Sequence, residues 1–346
     1  MGYQTIVIGT DGSATAYRAQ HKAVRFARRV GAQVVVASAH GESGLDPRTA
    51  AESASRARES AEHYGVEART VIRRGEAGET LAAIAREADA DLIVVGDAGM
   101  GEARRFRLGG VAERAAHSAS CDVLIVRTRR PARKKRTSDL YGGIVVGTDG
   151  SPTATEAVRK AFDLGMMMET RVTVVYVAGD PLIGAIVLER AITSKPDWVP
   201  VTSELVEGAP ADKLEEIASA QGYDLIVVGN KGVTGTRRFL LTAVPVKLAH
   251  RASQDVLIAK TVGLSYKDLQ PGQGGVVNTN GEKVAVYIDE SGGLRAFSAR
   301  CQHMGCTVDW NPAHKTWDCP CHGSRYHLDG QVLQGPTTRP LPPRSL

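Results

Sequence analysis

The segment IVIGTDGS at residues 6–13 returns as IVVGTDGS at 144–151, an offset of 138 residues. DLIVVG at 91–96, RRF at 104–106 and CDVLIVRT at 121–128 return at 224–229, 237–239 and 254–261 (the last as QDVLIAKT), all offset by 133. The second copy has therefore lost a net five residues between its first and fourth strands. A repeat this long is one whole domain duplicated, not a short-period solenoid. Within the first copy, apolar runs at TIVIGTD (5–11), QVVVASA (33–39), EARTVIRRG (67–75), DLIVVGD (91–97) and DVLIVR (122–127) alternate with helical periodicity. That alternation predicts a parallel sheet covered by helices. Ser13 reads as a helix N-cap, followed by a core stripe of Ala16, Ala19, Ala23, Phe26, Ala27 and Val30 up to Gly31. Ser151 and Pro152 supply the corresponding N-cap and N1 pair in the second copy.

The far end of the chain has a different character. Four of the five cysteines lie in CQHMGC (301–306) and CPCHGS (319–324). Cys301 and His303 make a C-x-H pair, Cys319 and His322 a C-x-x-H pair, with fifteen residues between the pairs. Each loop offers one thiolate and one imidazole. Such a donor set suits a two-iron group in which one iron takes two sulfurs and the other two nitrogens. A Cys2His2 zinc site draws on the same four atoms, but it usually groups a cysteine pair apart from a histidine pair. Ahead of these loops, VVNTN (276–280), EKVAVYIDE (282–290) and LRAFSAR (294–300) read as short antiparallel strands, with turns at Asn280–Gly281 and 291–293. His314 and His327 fit no ligand spacing and read as surface residues.

Residues 265–346 resemble Rieske [2Fe-2S] domains, and no ligand position departs from that pattern. The resemblance implies that Cys301, His303, Cys319 and His322 hold the cluster and that Cys306 and Cys321 form a disulfide between the loops. It implies that the Ser324 hydroxyl donates to a cluster sulfide and the Tyr326 hydroxyl to a ligand sulfur, which favours the reduced state and raises the potential. Gly335 and Pro336 resemble the third loop that shields the cluster from water.

The two copies resemble the universal stress protein family over 3–128 and 141–262. This implies an adenine nucleotide alpha hydrolase-like α/β fold. The overall expectation is two tandem doubly wound parallel-sheet domains plus a small all-β domain. Members that bind ATP use an acidic residue after the first strand, here Asp11 or Asp149 beside Thr10 or Thr148, and a G-x2-G-x9-G-(S/T) loop after the fourth. The first copy has Gly96, Gly99 and Gly109, with Gly110 in place of the hydroxyl residue. The second has Gly229 and Gly232, then Thr242 and Ala243 in place of the glycine and the hydroxyl. Such glycines let backbone amides close on phosphates at a helix head, or merely permit a tight turn. Neither copy carries a Walker-type loop or opens on GxGxxG.

The expected domains are thus 1–128, a basic linker 129–139, 140–262, a hinge 263–275 and a cluster domain 276–346. Charge must be located before it is interpreted. Seven positive side chains lie in 127–136, so the formal total of +5 leaves −2 elsewhere. That run reads as a solvated connector or a polyanion patch; no aromatic or recognition-helix pattern accompanies it, which argues against nucleic acid as partner. No apolar run approaches the roughly eighteen residues a membrane span needs, and the start lacks a secretory h-region, so the expectation is a cytoplasmic protein with no membrane association. Cys121 reads as a small buried hydrophobe, the alternative being a reactive thiol.

These features imply a one-electron carrier or redox-sensing module that works with a reductase or oxidoreductase partner. It is a component of an oxidoreductase system rather than a complete enzyme, because no two-histidine, one-carboxylate iron site is evident. ATP is a candidate ligand of the stress-protein copies. Those copies are expected to pair within the chain through their last strands, and a homo-oligomer is an open expectation. The alternatives are an ATP-binding stress regulator whose cluster senses oxidants, and an interaction protein whose cluster only staples a small domain.

Overall fold

The structure is a computed structural model that describes residues 2–41, 45–97, 109–128, 140–177, 181–193, 195–230, 244–260, 266, 269–279, 282–319 and 322–345, without the side chains of Pro152 and Asn278. The basic linker, Gly99, Gly232, Thr242, Ala243, both RRF segments, Cys321 and the turn at 280–281 lie outside the described residues. The chain divides into two compact units, the first running through Lys260 and the second holding the cysteine-rich C-terminal segment.

In the first copy, β1 (Thr5–Gly9), α1 (Ala14–Val30), β2 (Gln33–His40), α2 (Pro47–His63), β3 (Ala68–Arg74), α3 (Ala77–Glu87), β4 (Leu92–Gly96), α4 (Gly110–Ser118) and β5 (Asp122–Val126) follow in order. The second copy repeats them as β6 (Ile144–Gly147), α5 (Pro152–Met167), β7 (Val172–Val177), α6 (Pro181–Thr193), β8 (Val201–Val206), α7 (Pro210–Ala220), β9 (Leu225–Gly229), α8 (Val244–Arg251) and β10 (Asp255–Ala259). All five expected strands of the first copy are present. β1 ends at Gly9 rather than Asp11 because Thr10 and Asp11 turn the chain into α1. That helix is capped as its sequence predicts: the Ser13 side chain accepts from the Ala16 amide, and Gly31 closes the other end at φ 74°.

Strand register locates the five-residue deletion. β1 meets β2 through Ile6 and Val34, and β6 meets β7 through Ile144 and Val172, both equivalents offset by 138. β2 meets β3 through Val34 and Ala68, but β7 meets β8 through Val172 and Val201, so the offset has fallen to 133. The lost residues therefore belong to the connection that holds α2, of 17 residues, or α6, of 13.

The two copies share one ten-stranded sheet in the order β3-β2-β1-β4-β5-β10-β9-β6-β7-β8. Every pair is parallel except β5–β10, which is antiparallel and joins the copies through their last strands, as expected. Leu124 sits opposite Leu257, its own equivalent at the offset of 133. A two-fold axis through the seam requires that self-pairing. Because helices cover both faces, the strands are apolar on both sides. Ile6, Ile8, Leu92 and Leu124 pack on one face with α1 and α5, while Val7, Ile93, Val123 and Ile125 pack on the other with α3, α4, α7 and α8. Each core layer runs unbroken from one copy into the other.

Charge as well as apolar surface crosses the seam. Asp122 accepts from the Tyr3 hydroxyl (2.7 Å), the Lys160 ammonium (2.6 Å) and the Lys260 amide (2.7 Å). Asp255 repeats this with the Tyr141 hydroxyl (2.9 Å), the Lys22 ammonium (2.6 Å) and the Arg127 amide (2.9 Å). The side chains of those last residues cap the opposite copy's helices. Arg127 donates to the Leu248 and Ala249 carbonyls at the end of α8, and Lys260 Nζ to the Ala116 carbonyl of α4. Cations suit helix C-termini, where unpaired carbonyls collect.

The second unit contains a three-stranded antiparallel sheet of β11 (Gly274–Thr279), β12 (Glu282–Ile288) and β13 (Leu294–Ser298). A four-stranded sheet follows, of β14 (Asp309–Asn311), β15 (Thr316–Asp318), β16 (Arg325–Tyr326) and β17 (Val332–Gln334). β11 starts at Gly274, so the last two residues of the expected hinge are strand. Gly274 packs so tightly that a Cβ there would sit 2.5 Å from the Trp310 ring. The core of this unit joins Tyr287, Phe297, Trp310, Trp317, Tyr326 and Leu341 with Cys301 and Cys319.

Candidate metal centre

β13 leads into the loop 301–306, and β15 and β16 bracket the loop 319–324. The two loops close in the same way. The Cys301 amide donates to the Cys306 carbonyl (2.7 Å) and the Gly305 amide to the Cys301 carbonyl (2.9 Å). In the second loop the Cys319 amide donates to the Ser324 carbonyl (2.6 Å) and the Gly323 amide to the Cys319 carbonyl (3.1 Å). Gly305 and Gly323 both have φ 76°, the left-handed conformation that favours glycine. Neither glycine stands out in the sequence alone; the shared signal is a glycine four residues after each first cysteine.

These turns sort the four expected ligands by depth. Cys301 and Cys319 are buried, 2% and 3% exposed, whereas His303 and His322 are exposed. The two imidazoles face each other with centroids 4.9 Å apart and planes at 86°. Neither Cys301 nor Cys319 is in a disulfide, whereas Cys306 is disulfide-bonded. The donors pair off, sulfur beneath and nitrogen at the surface, which fits a two-metal group taking two protein ligands on each metal.

The expected hydrogen-bonding residues point into this site. The Tyr326 hydroxyl lies 3.1 Å from Cys301 Sγ and accepts from the Gln302 amide at 3.0 Å. The hydroxyl and the sulfur are within hydrogen-bond reach of each other, and either can be the donor. Ser324 is fully buried and accepts from the Thr337 amide at 3.1 Å, which leaves its hydroxyl proton to be donated. Gln302 and Thr337 were not legible as contributors, because both act through backbone amides. Burial opposes ionisation of Cys301, but hydrogen bonds from Tyr326, the His303 backbone, Cys319 and Ser324 outweigh it and hold the thiol below its ordinary pKa. Gly335 and Pro336, joined by a cis peptide bond, are exposed and run directly into Thr337. The third loop is thereby tied to the second through Ser324. His314 and His327 are exposed, as expected, and His327 pairs with Asp329.

The other candidate residues lie at the carboxyl ends of the parallel strands. The chain winds outward from β1 through β2 to β3 and, on the other side, from β4 to β5, so the switch point falls between β1 and β4. Thr10 and Asp11 follow β1, while Gly96 ends β4 and Gly109 caps α4 with Gly110 as its first residue. The Asp11 carboxylate accepts from the Ser13 amide (2.9 Å), and the Thr10 hydroxyl from the Gly12 amide (3.3 Å). In the second copy Thr148 and Asp149 follow β6 in the same way. Gly229 has a packing reason of its own, since a Cβ there would sit 2.7 Å from the Thr153 carbonyl oxygen at the start of α5. Cys121 is buried, as expected.

A tandem α/β pair on one sheet, followed by a small β unit with paired thiols and imidazoles, defines a two-part protein: a duplicated parallel-sheet α/β domain and a small antiparallel β domain carrying the cysteines and histidines. The model of the universal stress protein family matches residues 2–127 and 141–260, and the chain belongs to that family. The model of the Rieske [2Fe-2S] domain matches 260–344, so two universal stress protein domains precede a C-terminal Rieske domain. Over 78 residues the chain is 44% identical to YhfW of Bacillus subtilis, named as a Rieske 2Fe-2S iron-sulfur protein; this covers 22% of the chain and 15% of the relative. Over 81 residues it is 40% identical to the cytochrome b6-f complex iron-sulfur subunit of Chlorobaculum thiosulfatiphilum, covering 23% of the chain and 44% of the relative. The chain thus spans less than half the length of these curated relatives. The universal stress protein of Archaeoglobus fulgidus aligns with a TM-score of 0.56 at 17% identity, covering 74% of this chain and 96% of that one; it shows the fold. No helix among the described residues is long and apolar enough to cross a membrane.

Proposed function

We propose that this protein carries single electrons, or senses redox state, through a [2Fe-2S] cluster held by Cys301, His303, Cys319 and His322. One observation carries the reading: both thiols are buried while both imidazoles reach the surface. That depth order keeps the sulfur-ligated metal dry and presents the nitrogen-ligated one to a partner. When bound, the cluster supplies reversible one-electron chemistry. The chain's own residues hold it: Tyr326 and Ser324 direct protons at sulfur, Thr337 orients Ser324, and a Cys306–Cys321 disulfide pins the two loops together. A reductase or oxidoreductase is the proposed partner, with the cytoplasm as the compartment. The stress-protein pair serves docking or nucleotide-linked regulation. Here the first copy is the better ATP candidate, because Thr10, Asp11, Gly96, Gly109 and Gly110 gather at its switch point.

The test is the electron paramagnetic resonance spectrum of anaerobically purified protein before and after dithionite, with metal analysis of the same sample. The expected result is two irons per chain and the reduced spectrum of a mixed nitrogen and sulfur cluster. Zinc in place of iron, or a reduced spectrum typical of four thiolates, would overturn the assignment.

A further inference from the structure

The second ligand loop stands on a narrow base. β16 is two residues long, and it meets β15 through two rungs, Trp317 with Tyr326 and Asp318 with Arg325. The first rung is buried in the core of the unit, and the second leads directly into Cys319 and out of Ser324. On the other side of β16 the register to β17 shifts between Arg325 and Tyr326, so the ladder there braces Arg325 irregularly. A side chain closes this rung. The Asp318 carboxylate accepts from Arg325 Nε (3.0 Å) and Nη2 (3.3 Å), from the Asn311 side-chain amide (2.7 Å) and from the Thr316 hydroxyl (2.8 Å). Those donors come from β14, β15 and β16, so one carboxylate ties three strands together at the root of the loop. Asp309 sits opposite Asp318 in the β14–β15 pair, where like charges repel, and the Arg325 guanidinium offsets that repulsion. The corresponding positions of the first loop are Arg300 and Thr307, which cannot form an ion pair with each other. A single exposed ion pair contributes little to stability. A partly buried carboxylate that accepts four charge-assisted hydrogen bonds, one residue from the buried Cys319, holds its surroundings more firmly.

We propose that Asp318, acting through Arg325, is the positioning residue of the second ligand loop and fixes the backbone that presents Cys319 and His322 to the metal. The inference rests on the cluster assignment above. Directly beyond the clasp come the bonds that shape the loop, from the Cys319 amide to the Ser324 carbonyl (2.6 Å) and from the Gly323 amide to the Cys319 carbonyl (3.1 Å). Opening the clasp therefore frees the loop from its root upward. Cys319 is held by the surrounding core, but His322 is exposed and has no such support, so the imidazole moves first. Kept closed, the loop holds the His322 ring against that of His303, centroids 4.9 Å apart. The carboxylate touches no ligand atom and acts only by where it keeps the loop.

The experiment follows iron release from the oxidised full-length holoprotein to bathophenanthroline disulfonate, with the reduced electron paramagnetic resonance spectrum of each sample. Asp318→Ala and Arg325→Met should each release iron roughly tenfold faster than the wild type, the scale set by losing hydrogen bonds to a charged group. Their reduced spectra should broaden as the imidazole loses its fixed orientation. Combining Asp318→Arg with Arg325→Asp reverses the pair while keeping its charge complementarity, and should bring release back to within about threefold of the wild type. Lys315→Ala, which removes the exposed contact with Glu290 in the same unit, should leave release and spectrum unchanged. If the alanine variant purifies without iron, Asp318→Asn, which keeps the shape of the side chain, replaces it in the same assay. Release at the wild-type rate in both single variants, a reversed pair as leaky as they are, or equal leakage from Lys315→Ala would each overturn the positioning role. A wild-type protein that holds no iron would instead sink the cluster assignment.

Discussion

Lys160, on the first helix of the second copy, places its ammonium 2.6 Å from Asp122 at the head of the last strand of the first copy, and Lys22 and Asp255 repeat the contact at 2.6 Å. Both carboxylates are buried, and each is reached by one residue of its own copy and two of the other. Asp122→Ala takes the nearer carboxylate from the partly buried Lys160, leaving Glu156 at 3.7 Å, and takes the acceptor of the Tyr3 hydroxyl. Removing one partner of such a pair costs about 3–5 kcal/mol. Chemical denaturation should show the loss. An unchanged midpoint would mean that the seam is held by its apolar layers alone.

Burial pushes the Lys260 ammonium down to about 8 and the neighbouring Cys121 thiol up to about 12. The two shifts have opposite consequences. For Lys260 the unfolded chain binds more protons between pH 8 and about 10.4, so stability rises with pH across that window. For Cys121 the folded chain binds more protons above about 8.5, so stability falls as pH climbs toward 12. Between pH 8.5 and 10 they offset each other in the native sequence. Cys121→Ala should unmask the rise and Lys260→Met the fall, each by about 1–3 kcal/mol over that interval. Urea unfolding at pH 7.5, 8.5 and 10 decides the signs.

Tyr326→Phe removes the hydroxyl that lies 3.1 Å from Cys301 Sγ. The oxidised cluster loses less from this than the electron-rich reduced one, so the midpoint potential should drop. A differential hydrogen bond of about 1 kcal/mol corresponds to roughly 40 mV for one electron. Redox titration of the holoprotein measures it. His303→Cys should lower the potential further, because thiolate replaces imidazole at the nitrogen-ligated metal. An unmoved midpoint there would mean that His303 is not a ligand.

Gly229→Ala would put a Cβ 2.7 Å from the Thr153 carbonyl oxygen. Backbone cannot yield as a flexible side chain does, so the overpacking should cost about 1–3 kcal/mol. Thermal melts with and without ATP check this. The loss should be the same in both if packing is what Gly229 serves, and larger in ATP if that glycine also binds nucleotide.

Much of this architecture can be read in the chain itself because its signals are local. Parallel strands buried on both faces show up as continuous apolar runs, the caps of α1 need only Ser13 and Gly31, and C-x-H with C-x-x-H places each thiol beside its imidazole within one turn. Tertiary structure decided what depends on distant partners. Asp122 and Asp255 look like ordinary strand heads until the β5–β10 pairing brings lysines from the opposite copy onto them. The five missing residues can be placed at α6 only from strand register. The depth order of the four ligands follows from two loops closing on left-handed Gly305 and Gly323, with Thr337 arriving from a third. Local spacing names which side chains sit together along the chain; which of them end up dry, and which meet across the two-fold seam, is set by packing of segments up to 144 residues apart.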